Sequence, residues 1–225
     1  MKLRNKNLKI LKSNHVYSEE MEHDACGVGL VASTEGLKSR KVVEYGIDAL
    51  KAVWHRGAID ADGKTGDGAG IHIEIPKDFF EEKIEVTGHK HDNSELCVGM
   101  IFLPRNDYSA QEQCRTIVES ELTKRNFSIY GWRQVPVDPS VLGEKAEQTR
   151  PEITQVLFTY NDKKVVNKSL EQKLYETRRV IEKEALNNQL NNFYICSFSS
   201  KSIIYKGMFL ACLLYTSPSP RDATT

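Results

Sequence analysis

Long apolar runs are missing from this 225-residue chain: the longest, Met208 to Tyr215, has eight residues, against the roughly 18 that a membrane-spanning helix needs. A charge excess of either sign is missing too. Lys and Arg total 31 and Asp and Glu total 31, so no net field draws the chain to nucleic acid or to an anionic membrane. Cysteine is scarce: five residues, at 26, 97, 114, 196 and 212, with no CxxC pair. That odd number and those spacings fit neither a zinc knuckle nor a disulfide-dense secreted scaffold, and they predict free thiols in a reducing compartment. The basic start, Met1 to Asn14, lacks the apolar core of roughly 7–15 residues that a secretory signal requires, and its charge is Lys-rich rather than Arg-rich. A cytoplasmic location is the expectation.

What is there is an ordinary globular mixture. Hydrophobic residues make 40% and charged ones 28%, enough to bury the core of one large domain. The first 25 residues are polar and end in Glu19, Glu20, Glu22 and Asp24. Then Cys26-Gly-Val-Gly-Leu-Val-Ala reads as a buried strand. Val43, Ile47, Leu50 and Trp54 make the stripe of an amphipathic helix that Gly57 could stop. A glycine-dense loop, Asp62 to Gly70, leads into the alternating strand Ile71 to Ile75, which Pro76 closes.

Past a polar insert (81–95), strands are expected at Leu96–Leu103, Phe127–Val137 and Ile153–Tyr160. Ser109 could cap a helix burying Cys114, Ile117, Val118 and Leu122, and a short helix falls near Leu142–Thr149. Ser169–Leu190 is a long helix, and Phe193–Phe198 with Ile203–Tyr205 predicts a hairpin around Ser199-Ser-Lys-Ser. Grouped strands and grouped helices argue for an α+β fold rather than a repeating βαβ sheet. Beyond Leu213 all periodicity stops; the end is either a disordered tail or foreign sequence.

Gly63-Lys64-Thr65 imitates part of a phosphate loop, yet position 58 is Ala where the motif needs Gly, and a strand follows rather than a helix. A tight turn is the better reading. His89 and His91 lie in the polar insert with no third ligand at a defined spacing, so no metal site is expected. Cys97, Cys114 and Cys196 sit on apolar faces and read as core. Cys26 differs, standing between a polar leader and two glycines. As an internal thiol with a pKa of about 8.5 it would be only slightly ionised at neutral pH. With residues 1–25 removed, its own α-amine, pKa about 7.7–8.0, could serve as general base to the thiol beside it. Spacing alone leaves that role and a structural one both open.

Glu22-His-Asp-Ala-Cys-Gly-Val-Gly, Trp54-His-Arg-Gly-Ala, Thr65-Gly-Asp-Gly-Ala-Gly-Ile, Ile75-Pro, Gly131-Trp-Arg-Gln-Val-Pro-Val-Asp and Ile204-Tyr-Lys-Gly-Met closely resemble blocks of the N-terminal glutaminase domain of glutamate synthase large subunits. The resemblance runs from about Tyr17 to Ala211. It implies an N-terminal-nucleophile fold, an αββα four-layer sandwich, with 1–25 as a leader removed on maturation, 26–211 as a partial type-2 amidotransferase domain and 212–225 as a non-family tail. It further implies that Cys26 attacks L-glutamine to give a glutamyl thioester and ammonia. His55, Arg56, Gly57 and Asp67 then either shape the pocket or serve only as helix stop and tight turn.

No cofactor or metal is implied within these residues. FMN, an iron–sulfur cluster, 2-oxoglutarate and a small reductase subunit belong, by the same resemblance, to a longer enzyme into which ammonia is channelled. The blocks that would supply the substrate-binding Arg, the Asn-Gly oxyanion hole and the substrate-amine Asp have no counterpart here. The sandwich is therefore expected to be incomplete at its C-terminal end, and this chain alone nearly inactive. The alternatives are another class II amidotransferase, which would lack the Gly131-Trp-Arg and Thr65-Gly-Asp blocks, or a binding module without a reactive thiol.

Overall fold

A computed structural model describes residues 27–53, 57–90, 94–162 and 167–211, with Lys6 and Leu214. In chain order these form α1 (Arg40–Ala52), β1 (Ala69–Glu74), α2 (Lys77–Val86), β2 (Leu96–Leu103), α3 (Tyr108–Lys124), β3 (Phe127–Gln134), a 3-10 turn (Pro139–Val141), α4 (Glu144–Thr149), β4 (Glu152–Tyr160), α5 (Asn167–Asn187), β5 (Tyr194–Ser199) and β6 (Ser202–Gly207). The fold is mixed α and β, built on two antiparallel sheets. One pairs β1 with β6, Ile71 opposite Tyr205. The other has the order β3-β4-β2-β5.

The alternation of β2 explains the layering. Cys97, Ile101 and Leu103 face α3 and α5, where Cys114, Val118, Leu122, Leu174 and Ile181 complete a core. Leu96, Val98 and Met100 face the opposite way, onto Phe80 and Ile84 of α2 and Ile203 of β6. A central strand buried on both faces has to be apolar throughout, and this one is. Each Leu or Phe so buried is worth about 1.5–3 kcal/mol. The two-stranded sheet packs on that second core, and α1 packs on β1. Among the described residues no helix is long and apolar enough to cross a membrane.

The structure corrects several expectations. Residues 27–33 form no strand, and Val28 and Leu30 are 89% and 91% exposed; apolar composition suggested one, but a strand also has to pair with a neighbour, and these residues pair with none of the described strands. The α1 helix ends at Ala52, before Gly57, with Val53 as its C-cap, the Val53 N–H donating to the Leu50 carbonyl. Asp107, not Ser109, caps α3, accepting from the Ala110 N–H at 2.9 Å, a cap worth about 1 kcal/mol. Residues 81–86 of the expected polar insert belong to helix α2, whose apolar face is Phe80 and Ile84.

The expected hairpin is a crossover instead. β5 pairs with β2 and β6 pairs with β1, so Ser200 and Lys201 carry the chain from one sheet to the other. Alternation cannot distinguish the two, because both place apolar residues on the same inner face. The Ser197 hydroxyl accepts from the Ile204 N–H at 3.2 Å, a side-chain link where a hairpin would have a ladder.

Candidate active site

The glycine-dense loop is built from its own side chains. The Asp62 carboxylate accepts from the Lys64 and Thr65 N–H groups at 2.9 and 2.7 Å and from the Thr65 hydroxyl at 2.5 Å. The Thr65 hydroxyl and then these N–H groups hold the Asp62 carboxyl down to about 2. Gly63 supplies the positive φ of the turn, +68°, so Gly63-Lys64-Thr65 is a turn, as expected. An antiparallel bridge joins Ile59 to Gly66, and Lys145 of α4 grips Asp60 at 2.6 Å. Gly66 lies so close to Phe209 that a β-carbon there would sit 2.9 Å from the Phe209 backbone. The loop is thereby pinned between α4 and the segment that follows β6.

That pinning delivers Asp67 and Gly68 to the wall of a cleft of about 1360 Å3. Gly27 and Gly57 line the same cleft. Three separate sequence blocks thus meet there: the residue after Cys26, the residue after His55-Arg56, and Asp67 itself. Cys26, His55 and Arg56 lie outside the described residues. Asp67 is exposed, and among the described residues its carboxylate has no hydrogen-bond partner. The inner wall comes from between the sheets, with Met100, Phe102, Ile153 and Tyr205.

Arg105 and Arg150 line the rim. Arg105 Nη1 donates to Glu147 Oε1 at 2.6 Å and Arg150 Nε to Glu147 Oε2 at 2.7 Å. The Arg150 guanidinium first, with help from Arg105, holds the Glu147 carboxyl down to about 2. One carboxylate thus fixes two guanidinium groups at the mouth of the cleft.

Cys97, Cys114 and Cys196 are buried free thiols, as expected of core residues. Burial pushes all three up, Cys114 to about 11, so none is a nucleophile near neutral pH. His89 is exposed, beside the Thr87 hydroxyl at 3.1 Å; His91 lies outside the described residues. Among the described residues no group of three His, Cys, Asp or Glu side chains could hold a metal ion.

Two residues escaped the sequence reading: Tyr205, which lines the cleft, and Gln155, which bonds it from the core. Tyr205 was visible only within the Ile204-Tyr-Lys-Gly-Met block, and Gln155 only as a polar residue inside the apolar run Ile153 to Phe158. That interruption is the signal that could have found Gln155, since a fully buried amide needs partners.

A cleft where Cys-Gly, His-Arg-Gly and Gly-Asp-Gly blocks converge agrees with the family match: residues 26–216 fit the class II glutamine amidotransferases, and the chain belongs to that family. Its relatives point further. The chain is 54% identical over 210 residues to an NADPH glutamate synthase large chain of Azospirillum brasilense, covering 93% of this chain and 14% of that one. It is 36% identical over 210 residues to a ferredoxin-dependent glutamate synthase of Pyropia yezoensis, covering 92% of this chain and 13% of the relative. A ferredoxin-dependent glutamate synthase 2 of Synechocystis is 37% identical over 194 residues, with 86% and 12% covered. The chain therefore spans about one seventh or less of the length of these relatives.

Proposed function

We propose that this chain is the glutaminase portion of a glutamate synthase, with Cys26 as nucleophile. The observation that carries the reading is the convergence of Gly27, Gly57 and Asp67 on one cleft, which brings together the neighbours of Cys26 and of His55-Arg56. Removal of residues 1–25 gives Cys26 a free α-amine. The family match begins at residue 26, which supports that boundary, and continues to residue 216.

The amine takes the thiol proton, and Sγ attacks the side-chain carbonyl carbon of L-glutamine. The tetrahedral intermediate collapses with loss of the amide nitrogen as ammonia, which carries off the transferred proton. Water attacks the resulting thioester, giving glutamate and restoring the thiol. Glutamine and water go in; glutamate and ammonia come out. Asp67 contributes a carboxylate to the pocket wall, and His55, Arg56 and Gly57 shape its floor.

The four-layer αββα arrangement belongs to this reading. It is supported by α1 on the two-stranded sheet and by α3 and α5 on the far side of the four-stranded one. In the larger enzyme the ammonia meets 2-oxoglutarate and reducing equivalents to form a second glutamate. FMN and an iron–sulfur cluster serve that second half-reaction. The described residues do not fit a cluster, because their three thiols are each buried singly. The 54% identity with an NADPH-type large chain, against 36% and 37% with the ferredoxin-dependent enzymes, favours NADPH and a small reductase subunit as the electron source. A cytoplasmic location suits both substrates.

Mass spectrometry of the N-terminal peptide of the full-length enzyme tests the maturation step. The active species should begin at Cys26; an active species that retains residues 1–25 would overturn the amine-as-base mechanism.

A further inference from the structure

Gln155 is fully buried between the two sheets, in a core otherwise made of residues such as Val98, Met100 and Leu157. Arg133 Nη1 donates to its Oε1 at 2.9 Å. A guanidinium offers donors only, so this contact fixes which end of the amide faces Arg133. The other end, Nε2, therefore faces Tyr205 and donates to its Oη at 3.3 Å. The hydroxyl oxygen is thus the acceptor, and its one proton must point elsewhere.

Among the described residues Tyr205 Oη has no acceptor for that proton, while Tyr205 lines the cleft beside Met100, Phe102 and Ile153, which offer no oxygen from their side chains. Burial pushes the phenol up from its ordinary range, with Gln155 and Arg133 opposing. The group stays protonated at neutral pH and acts as a donor rather than a base.

We infer that the Tyr205 hydroxyl, aimed by Gln155, donates a hydrogen bond to the α-carboxylate of the amino-acid substrate. The inference rests on the glutaminase reading above and names a substrate contact for it. The α-carboxylate is the oxygen acceptor of glutamine whose charge does not change during thioester formation. A contact to it is made equally in ground state and transition state, so it lowers KM and leaves kcat alone. In these roles Tyr205 touches substrate, and Gln155 is a positioning residue.

The test is steady-state glutamine hydrolysis by the full-length enzyme, with melting temperatures of each variant. Tyr205→Phe removes one oxygen and should raise KM about tenfold at nearly unchanged kcat, the effect of one lost hydrogen bond. Gln155→Glu keeps the size of the side chain and the contact with Arg133 but cannot donate; the Tyr205 proton then turns back to the new carboxylate. KM should rise by the same factor with the melting temperature preserved, and the double variant should be no worse than either single one. A purely structural role for Gln155 predicts instead that Gln155→Glu leaves KM at the wild-type value. Unchanged KM in Tyr205→Phe overturns the assignment even if Gln155→Glu fails to fold. Absence of glutamine hydrolysis in the wild-type enzyme would overturn the glutaminase reading itself, and hydrolysis that does not depend on Cys26 would overturn its nucleophile; both are separate outcomes.

Discussion

Glu171 Oε1 accepts from both the backbone N–H and the hydroxyl of Ser200, each at 2.8 Å. Ser200 is where the chain leaves the four-stranded sheet for the two-stranded one, and it is almost fully buried. The Ser199 hydroxyl donates to the same carboxylate. One side chain from α5 thus holds the crossover that places β6, and with it Tyr205, against the inner face of β4.

Glu171→Ala should therefore cost about 2–3 kcal/mol, the range for hydrogen bonds to a charged acceptor that leave buried donors unpaired. For a chain of this size that lowers the melting temperature by roughly 4–12 °C. Glu171→Gln keeps one acceptor oxygen and should lose less. Calorimetry of the two variants beside the wild type is the check; equal stability of all three would remove Glu171 from this role.

Gly66→Ala should destabilise through close approach, because the new methyl would meet the Phe209 backbone at 2.9 Å. Overpacking of this kind costs about 1–3 kcal/mol. As the same loop carries Asp67 and Gly68 to the cleft, KM for glutamine should rise together with the loss of stability. Denaturant titration and hydrolysis kinetics on one preparation measure both.

The thiols offer a chemical readout. Cys97, Cys114 and Cys196 are buried, and burial raises each of them, Cys114 to about 11. At pH 8 the native protein should leave all three unmodified by iodoacetamide, and denaturant should expose them. Peptide mapping that finds any of them alkylated in the native state would contradict the core described for β2, α3 and β5.

Acid stability should carry the mark of Glu147. Its carboxyl is held to about 2, below its ordinary 4.5, by Arg150 and Arg105. A depressed carboxylate contributes stability that is fully present above about 4.5 and is lost as pH falls toward 2. Glu147→Gln should thus melt below the wild type near neutral pH, with the gap closing between pH 4.5 and 2. The group is partly exposed, so high salt should shrink the gap.

The hydrophobic pattern of the sequence was sufficient for β2, β4, α3 and the register of apolar faces, because burial on one or two faces leaves a period of 2 or 3.6 in the chain. It was not sufficient for the partners of β5 and β6. Pairing is decided by the Glu171 contacts and by the Ser197 link to Ile204, neither of which has a period. The strand expected after Cys26 failed for the same reason, since Val28 and Leu30 are apolar but pair with no described strand. Of the cleft, Gly27, Gly57 and Asp67 were legible as motif residues, while Gln155, which bonds Tyr205 from the core, was visible only as an interruption of an apolar strand.

Glutamine hydrolysis by Cys26→Ser is the measurement that tests the central claim most directly. In the full-length enzyme the serine variant should lose activity by about 10^4-fold or more, as removal of a nucleophile does elsewhere, with folding intact by circular dichroism and Cys97→Ser and Cys114→Ser still active. Retained hydrolysis in Cys26→Ser, or its loss in a folded Cys97→Ser or Cys114→Ser, would contradict the account.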